Sequence, residues 1–213
     1  MADEIAAGGI VIPGLRRALY VVVVGALLTV GLWQLGHGIA INTKATLAQY
    51  LLRRAWSRTL AGELHAKPWP WADTWPIARL RVPAHRVDLI VLAGATGSTL
   101  AFGPGLVAGT ATPGQSGVAV VTGHRDTHFR FLRDLKAGDE IVVETAEHPT
   151  VRFVADEAFV IDGRTAVIGD GDGAARLVLL TCYPFDALRP GGPLRYVIVS
   201  APGTVDDASR RTP

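Results

Sequence analysis

Two patterns of hydrophobicity divide the chain. From Ala18 to Ile41 apolar residues run with no Asp, Glu, Lys or Arg among them. A helix that spans a bilayer needs roughly 20 mostly apolar residues, and this run meets that length. A cleaved signal peptide has an apolar region of only about 7 to 15 residues, so the longer run favours an uncleaved anchor. Trp33 and His37, near its far end, suit an interfacial position. Arg16 and Arg17 flank the near side and predict a cytoplasmic N-terminus with the remainder outside, although Lys44, Arg53 and Arg54 weaken the asymmetry. Beyond the anchor, Leu47, Leu51, Ala55 and Leu60 recur near the helical period, which predicts a juxtamembrane helix over Thr43–Leu64 ending by about Pro68. The segment Pro68-Trp-Pro-Trp-Ala-Asp-Thr-Trp-Pro76 follows, too rich in proline and tryptophan for a regular element. It reads as a strap whose indoles fill grooves on the domain, or as a lid over an active site or a membrane-surface contact.

From Ile77 the pattern changes to short strand-like runs rich in Val, Ile and Leu. Strands are expected at Ala78–Val82, Val87–Ala93, Gly117–Thr122, Glu140–Thr145, Thr150–Asp162, Arg176–Cys182 and Leu194–Ala201, each bounded by Gly, Pro or Asp. A helical turn or two is expected within Phe129–Leu135. So many short strands with little helix argue for an all-β sandwich or closed barrel. The expected organisation is a cytoplasmic N-terminus (1–17), a transmembrane anchor (18–41), a juxtamembrane helix and strap (42–76), a catalytic domain (77–202) and a disordered polar tail (203–213).

Charge narrows the function classes. The formal net charge is +2 with basic residues scattered, which gives no footing for nucleic-acid binding. Cys182 is the only cysteine, so neither an intramolecular disulfide nor a cysteine-rich metal site can form. Gly94-Ala-Thr-Gly97-Ser-Thr lacks the lysine and the following helix of a phosphate loop. Asp170-Gly-Asp172-Gly starts like a calcium loop, but Ala174 occupies the third ligand position, and a turn is the simpler reading. His124 and His128 have zinc-helix spacing, yet no Glu follows His124 and Thr-Gly precedes it. No metal or other cofactor is expected.

The chemistry concentrates at strand ends. Cys182 closes the apolar run Val178-Leu-Leu-Thr-Cys182 and is followed by Tyr183-Pro184. A thiol on a rigid strand end is a positioned nucleophile, and its reactive thiolate form needs a nearby cation. If this strand and Leu194–Val199 are antiparallel neighbours, Arg195 falls across from Cys182. His124 likewise closes the apolar strand Val118–Gly123, whereas the histidines at 37, 65, 85, 128 and 148 lie in the anchor, in turns or beside the strap; His128 is a candidate supporting residue.

Taken together, Gly123-His124-Arg125-Asp126, Phe131-Leu-Arg-Asp-Leu135 with Gly138-Asp139, Leu179-Leu-Thr-Cys182 and Arg195 resemble the sortase family over roughly Ile77–Pro202. The Pro/Trp strap and the Cys182-Tyr-Pro-Phe185 continuation resemble the branch found singly in Gram-negative bacteria. The resemblance implies a closed eight-stranded barrel and a cysteine transpeptidase that cleaves the C-terminal sorting signal of a secreted protein. Cys182 would form a thioester and His124 would act as general acid and base. Arg195 would stabilise the oxyanion together with the backbone N–H after Cys182. Thr181 and Tyr183, flanking the thiol, are the expected substrate-binding residues. The implied partners are one dedicated target protein, an amine acceptor and the inner membrane, with the catalytic domain periplasmic. Two departures touch the substrate groove: Leu106 stands where many relatives carry histidine, and Ser116-Gly117-Val118 replaces a common Gly-Asn. The alternatives are a sortase-fold peptidase that hydrolyses the thioester and a non-catalytic periplasmic binding module. A papain-like enzyme is disfavoured because His124 precedes Cys182.

Overall fold

A computed structural model describes residues 13–147, 150–167, 169, 173–187, 189 and 191–203. His148, the Asp170–Asp172 turn and the tail beyond Gly203 lie outside the described residues. The chain divides into two compact units between Leu47 and Ala48. Helix α1, Pro13–Leu60, contributes to both.

In the first unit the side chains of Leu19 to Leu35 stand exposed, among them Tyr20, Val21, Leu27, Leu32 and Trp33. A helix that is apolar all round and packs on nothing suits a hydrocarbon environment. The helix is long and apolar enough to cross a membrane, with a mean hydropathy of 2.0 over its best window.

In the second unit α1 ends at Leu60, earlier than the expected Leu64. Gly62 has φ +94° and its N–H bonds to Thr59 O, while Glu63 N–H reaches Arg58 O, so a left-handed glycine cap stops the helix. The packed face is also one residue off the expected stripe. Ala48, Leu52, Ala55 and Trp56 are buried, Leu52 and Trp56 against Ile90 and Leu92, whereas Leu47 and Leu60 are exposed. The large indole of Trp56 offers the most area to cover, and it draws that face inward. In the strap, Trp69 packs edge-on against Phe102 at 4.8 Å and Trp75 lies 4.2 Å from the His65 ring, but Trp71 is 83% exposed.

The strands are β1 (Pro76–Val82), β2 (Val87–Ala93), β3 (Gly105–Leu106), β4 (Val118–Thr122), β5 (Glu140–Thr145), β6 (Val151–Asp162), β7 (Arg176–Cys182) and β8 (Leu194–Pro202). They close an eight-stranded barrel in the order β1-β2-β3-β4-β7-β8-β6-β5. Seven strands fall where the pattern of the sequence expects them. β3, with two residues, is too short to show a period. A one-turn helix α2 at Gly97–Leu100 takes up the second half of the segment set aside as a phosphate-loop lookalike, where no helix is expected, and the expected helical turn within 129–135 is a 3-10 turn at Arg130–Arg133. Alternation drives closure: β1 and β7 bury every second residue, and these meet Val91, Val121, Ile141, Phe153 and Ile198 in a single core. The pair β4–β7 is parallel and β7–β8 antiparallel, so the end of β4, the end of β7 and the start of β8 meet at one rim of the barrel.

Candidate active site

The alternation along β7 decides what the thiol faces. Leu177, Leu179 and Thr181 point into the core, while Arg176, Val178, Leu180 and Cys182 take the outer face. Cys182 is half-buried there and pairs in register with Arg195 of β8, so both side chains stand on the same face of adjacent strands. β6 adds Ile161 on the other side of Arg195.

His124 arrives through the parallel pair. The β4–β7 register ends at Thr122 opposite Leu180, and the Gly123 N–H continues it to Leu180 O at 3.2 Å. The Thr181 hydroxyl then donates to Gly123 O at 2.7 Å. After His124 the chain turns back sharply: Phe129 N–H bonds to His124 O at 3.0 Å, and the Phe129 ring is fully buried. A Cβ on Gly123 would stand 2.9 Å from that ring, so only glycine lets the aromatic plug seat under the turn. The outcome is an exposed His124 on a turn tied to the strand end that carries Cys182.

Two of the expected contacts are different in the structure. Thr181 is 1% exposed with its hydroxyl committed to Gly123 O, so it faces the core and joins strand ends rather than touching a substrate. The Tyr183 N–H donates to Leu194 O at 3.0 Å, extending the ladder past Cys182. That donor is therefore occupied, and it does not point at the position of a carbonyl oxygen on Cys182. The Tyr183 ring stacks on Tyr196, with Phe185 edge-on to both, in an aromatic cluster at the rim.

Arg195 is held rather than loose. Its Nη1 donates to Gly192 O at 2.6 Å and Leu194 O at 2.9 Å, and its stem lies against Gly163, where a Cβ would meet Cγ at 3.1 Å. Nε and Nη2 make no hydrogen bond among the described residues and remain available as donors. A groove of about 730 Å³ runs along the outer face toward Arg195. Val118, Val120, Val178, Leu180, Val197 and Val199 form its apolar floor, and the segment Asp162–Val167 helps to line it. Burial, and then the charge of nearby His124, lower the His128 pKa, which keeps that ring neutral around pH 7. Among the described residues no cluster of His, Cys, Asp and Glu could hold a metal ion.

The family model of the sortase domain matches residues 80–202, more than half of the chain. The chain belongs to the sortase family. Sortases are cysteine transpeptidases, and the closed barrel is the fold of this one. It is 29% identical over 119 residues to sortase D of Bacillus subtilis strain 168, a match covering 56% of this chain and 60% of the relative's length. Among solved structures it resembles a Clostridium perfringens sortase D5 transpeptidase (TM-score 0.59, 21% identity, covering 75% of this chain and 99% of that one). It also resembles sortase C-1 from Actinomyces oris (TM-score 0.54, 26% identity, covering 61% and 75%).

Two residues of this sortase have a place at the site that their sequence alone does not disclose. Phe129 seats the histidine turn. Arg125 is buried beside His124 and bonds to Pro184 O and Ala187 O. The Gly123–Asp126 tetrapeptide marks Arg125 as part of a motif, but nothing in the sequence shows an arginine turned inward.

Proposed function

We propose that this sortase is a membrane-anchored cysteine transpeptidase acting on the C-terminal sorting signal of a secreted protein. The observation that carries the reading is the pairing of Cys182 with Arg195 where the apolar groove ends, beside the turn of His124. A peptide laid along the groove brings one carbonyl to the thiol. The Cys182 sulfur attacks that carbon, and Arg195 stabilises the oxyanion through Nε and Nη2. Because the Tyr183 N–H is committed to Leu194 O, the charge on the oxyanion rests more heavily on Arg195 than the family resemblance implies. The C–N bond then breaks and imidazolium His124 gives its proton to the leaving amine, leaving an acyl thioester. An incoming amine loses a proton to His124, attacks the thioester and expels the thiolate, so a new amide bond replaces the old one.

The apolar, exposed first unit supports a membrane anchor, and Arg16 and Arg17 on its near side support a cytoplasmic N-terminus with the barrel on the periplasmic side of the inner membrane. The Pro/Trp strap and the Cys182–Phe185 continuation support assignment to the Gram-negative, single-copy type, with one dedicated target.

The test uses the full chain in detergent micelles with a panel of peptides, apolar on the acyl side of the scissile bond, and triglycine as amine. Intact mass should show an acyl adduct on Cys182 that triglycine converts to amide, with neither species in Cys182→Ala and loss of turnover in His124→Ala and Arg195→Ala. An adduct released only as free acid points to the hydrolytic alternative, which the solvent access of His124 permits. Turnover that persists in Cys182→Ala would refute the assignment.

A further inference from the structure

Arg125 is 7% exposed, an unusual place for a guanidinium. Burying that charge is costly unless it is paired and hydrogen-bonded. The ion pair on offer is poor: Asp126 Oδ1 lies 3.4 Å from Nε, and that carboxylate is 71% exposed. The short bonds go elsewhere, from Nη1 to Pro184 O at 2.7 Å and from Nη2 to Ala187 O at 2.8 Å. The rigid planar fork thus bridges two neutral carbonyls of the loop that leaves Cys182. Lysine, whose three donors radiate from a single nitrogen, does not reproduce that planar two-nitrogen fork.

What the fork joins gives it a purpose. The backbone ladder between β4 and β7 stops at the Gly123 N–H, just before His124 and two residues before Cys182. Beyond that point side chains take over. Thr181 crosses to Gly123, the residue before His124, and Arg125, the residue after it, crosses to the loop after Cys182. Each of the two chemical residues is therefore bracketed by a bond to the segment of the other. The Tyr183 N–H ties the same loop to β8 and leaves its spacing from the His124 turn unfixed. Arg125 supplies that missing dimension.

We propose that Arg125 is a positioning residue that sets the spacing of His124 and Cys182 by holding the Pro184–Ala187 loop against the histidine turn. This rests on the reading that His124 and Cys182 act together, and it does not require the reaction to end in transfer rather than hydrolysis.

The test needs no peptide substrate. In the full chain in detergent, Cys182 is the only cysteine, so its iodoacetamide alkylation can be followed by intact mass against pH. Wild type, Arg125→Ala and Arg125→Lys are each compared in the native and the His124→Ala backgrounds. The expected result is a change of about threefold or more near neutral pH for Arg125→Ala with His124 present. It should shrink to under about 1.5-fold without His124, the non-additivity of residues sharing one network. Arg125→Lys should recover part of the native profile. Equal effects in both backgrounds would mean that the arginine merely closes the loop, and an unchanged profile would mean that it does nothing for the pair; either overturns the proposal. If Arg125→Ala melts too low to assay, Arg125→Lys and Arg125→Gln carry the same cycle. A positive cycle in a protein that forms no amide from peptides would leave the positioning role standing and the transpeptidase reading refuted.

Discussion

Replacing Thr181 with valine keeps the branched shape and deletes one hydroxyl. That hydroxyl donates at 2.7 Å to Gly123 O in a residue that is 1% exposed, and Gly123 is itself buried. The loss therefore has two parts. A typical intramolecular hydrogen bond contributes about 0.5 to 1.5 kcal/mol, and a buried carbonyl left without a partner costs roughly 1 to 3 kcal/mol. The two overlap, so about 2 kcal/mol of destabilisation is expected for Thr181→Val. For a domain of this size about 1 kcal/mol shifts Tm by roughly 2 to 4 °C, which puts the expected drop at about 4 to 8 °C. Thr181→Ser keeps the donor and gives up one buried methyl, about 0.8 kcal/mol, so it should fall between the two. The assay is thermal unfolding of the full chain in detergent, followed by near-ultraviolet circular dichroism, with turnover measured on the same samples. Valine should also lower kcat, since the bond anchors the turn of His124. A valine variant that melts within about 1 °C of wild type would refute the claim that this hydroxyl holds the strand ends together.

Other outcomes follow from single contacts. In Gly163→Ala the new Cβ would stand 3.1 Å from Arg195 Cγ and 3.2 Å from Pro193 O, at an exposed position. Turnover should fall several-fold or more while Tm moves by less than about 2 °C, a split that a general loss of stability cannot produce. Asp88 is held down to a pKa of about 2, first by its hydrogen bond from Arg79 and then by Arg53. A carboxylate whose folded pKa lies below its ordinary value adds stability above that ordinary value, and the gain is lost as pH falls from about 4 toward 2. Asp88 is about one-third exposed, so the gain is small, and Asp88→Asn should flatten the acid limb of the urea midpoint against pH without altering the midpoint slope elsewhere.

The strands are legible because Val, Ile and Leu alternate between clear turn residues, and the facing of Cys182 by Arg195 follows from a hairpin-like return of β7 into β8. The same alternation, carried one residue to either side of Cys182, turns Thr181 inward, so its role was within reach of the sequence. The helix stripe is harder. Leu47 and Leu60 fit the period as well as Ala48 and Leu52 do, and the choice falls to the partner surface of Ile90 and Leu92, which only the fold supplies. The occupied Tyr183 N–H and the inward Arg125 depend on hydrogen bonds across more than ten residues, about which a local pattern says nothing. β3 escapes for want of length, and α2 because four residues after Thr96 look like loop.

The parallel pairing of β4 with β7 also fixes when the site comes into being. These strands lie on either side of β5 and β6 in the chain, and β6 is a neighbour of β8 rather than of β7. Their meeting is a contact of long sequence separation, the kind that forms slowly because a large loop must be closed first. A chain still short of β7 has a histidine and no thiol, and one whose barrel has not closed has both but far apart. On the proposed mechanism the joining of Cys182 with His124 thus waits on this late contact, and a chain that has not yet made it lacks a paired nucleophile and base.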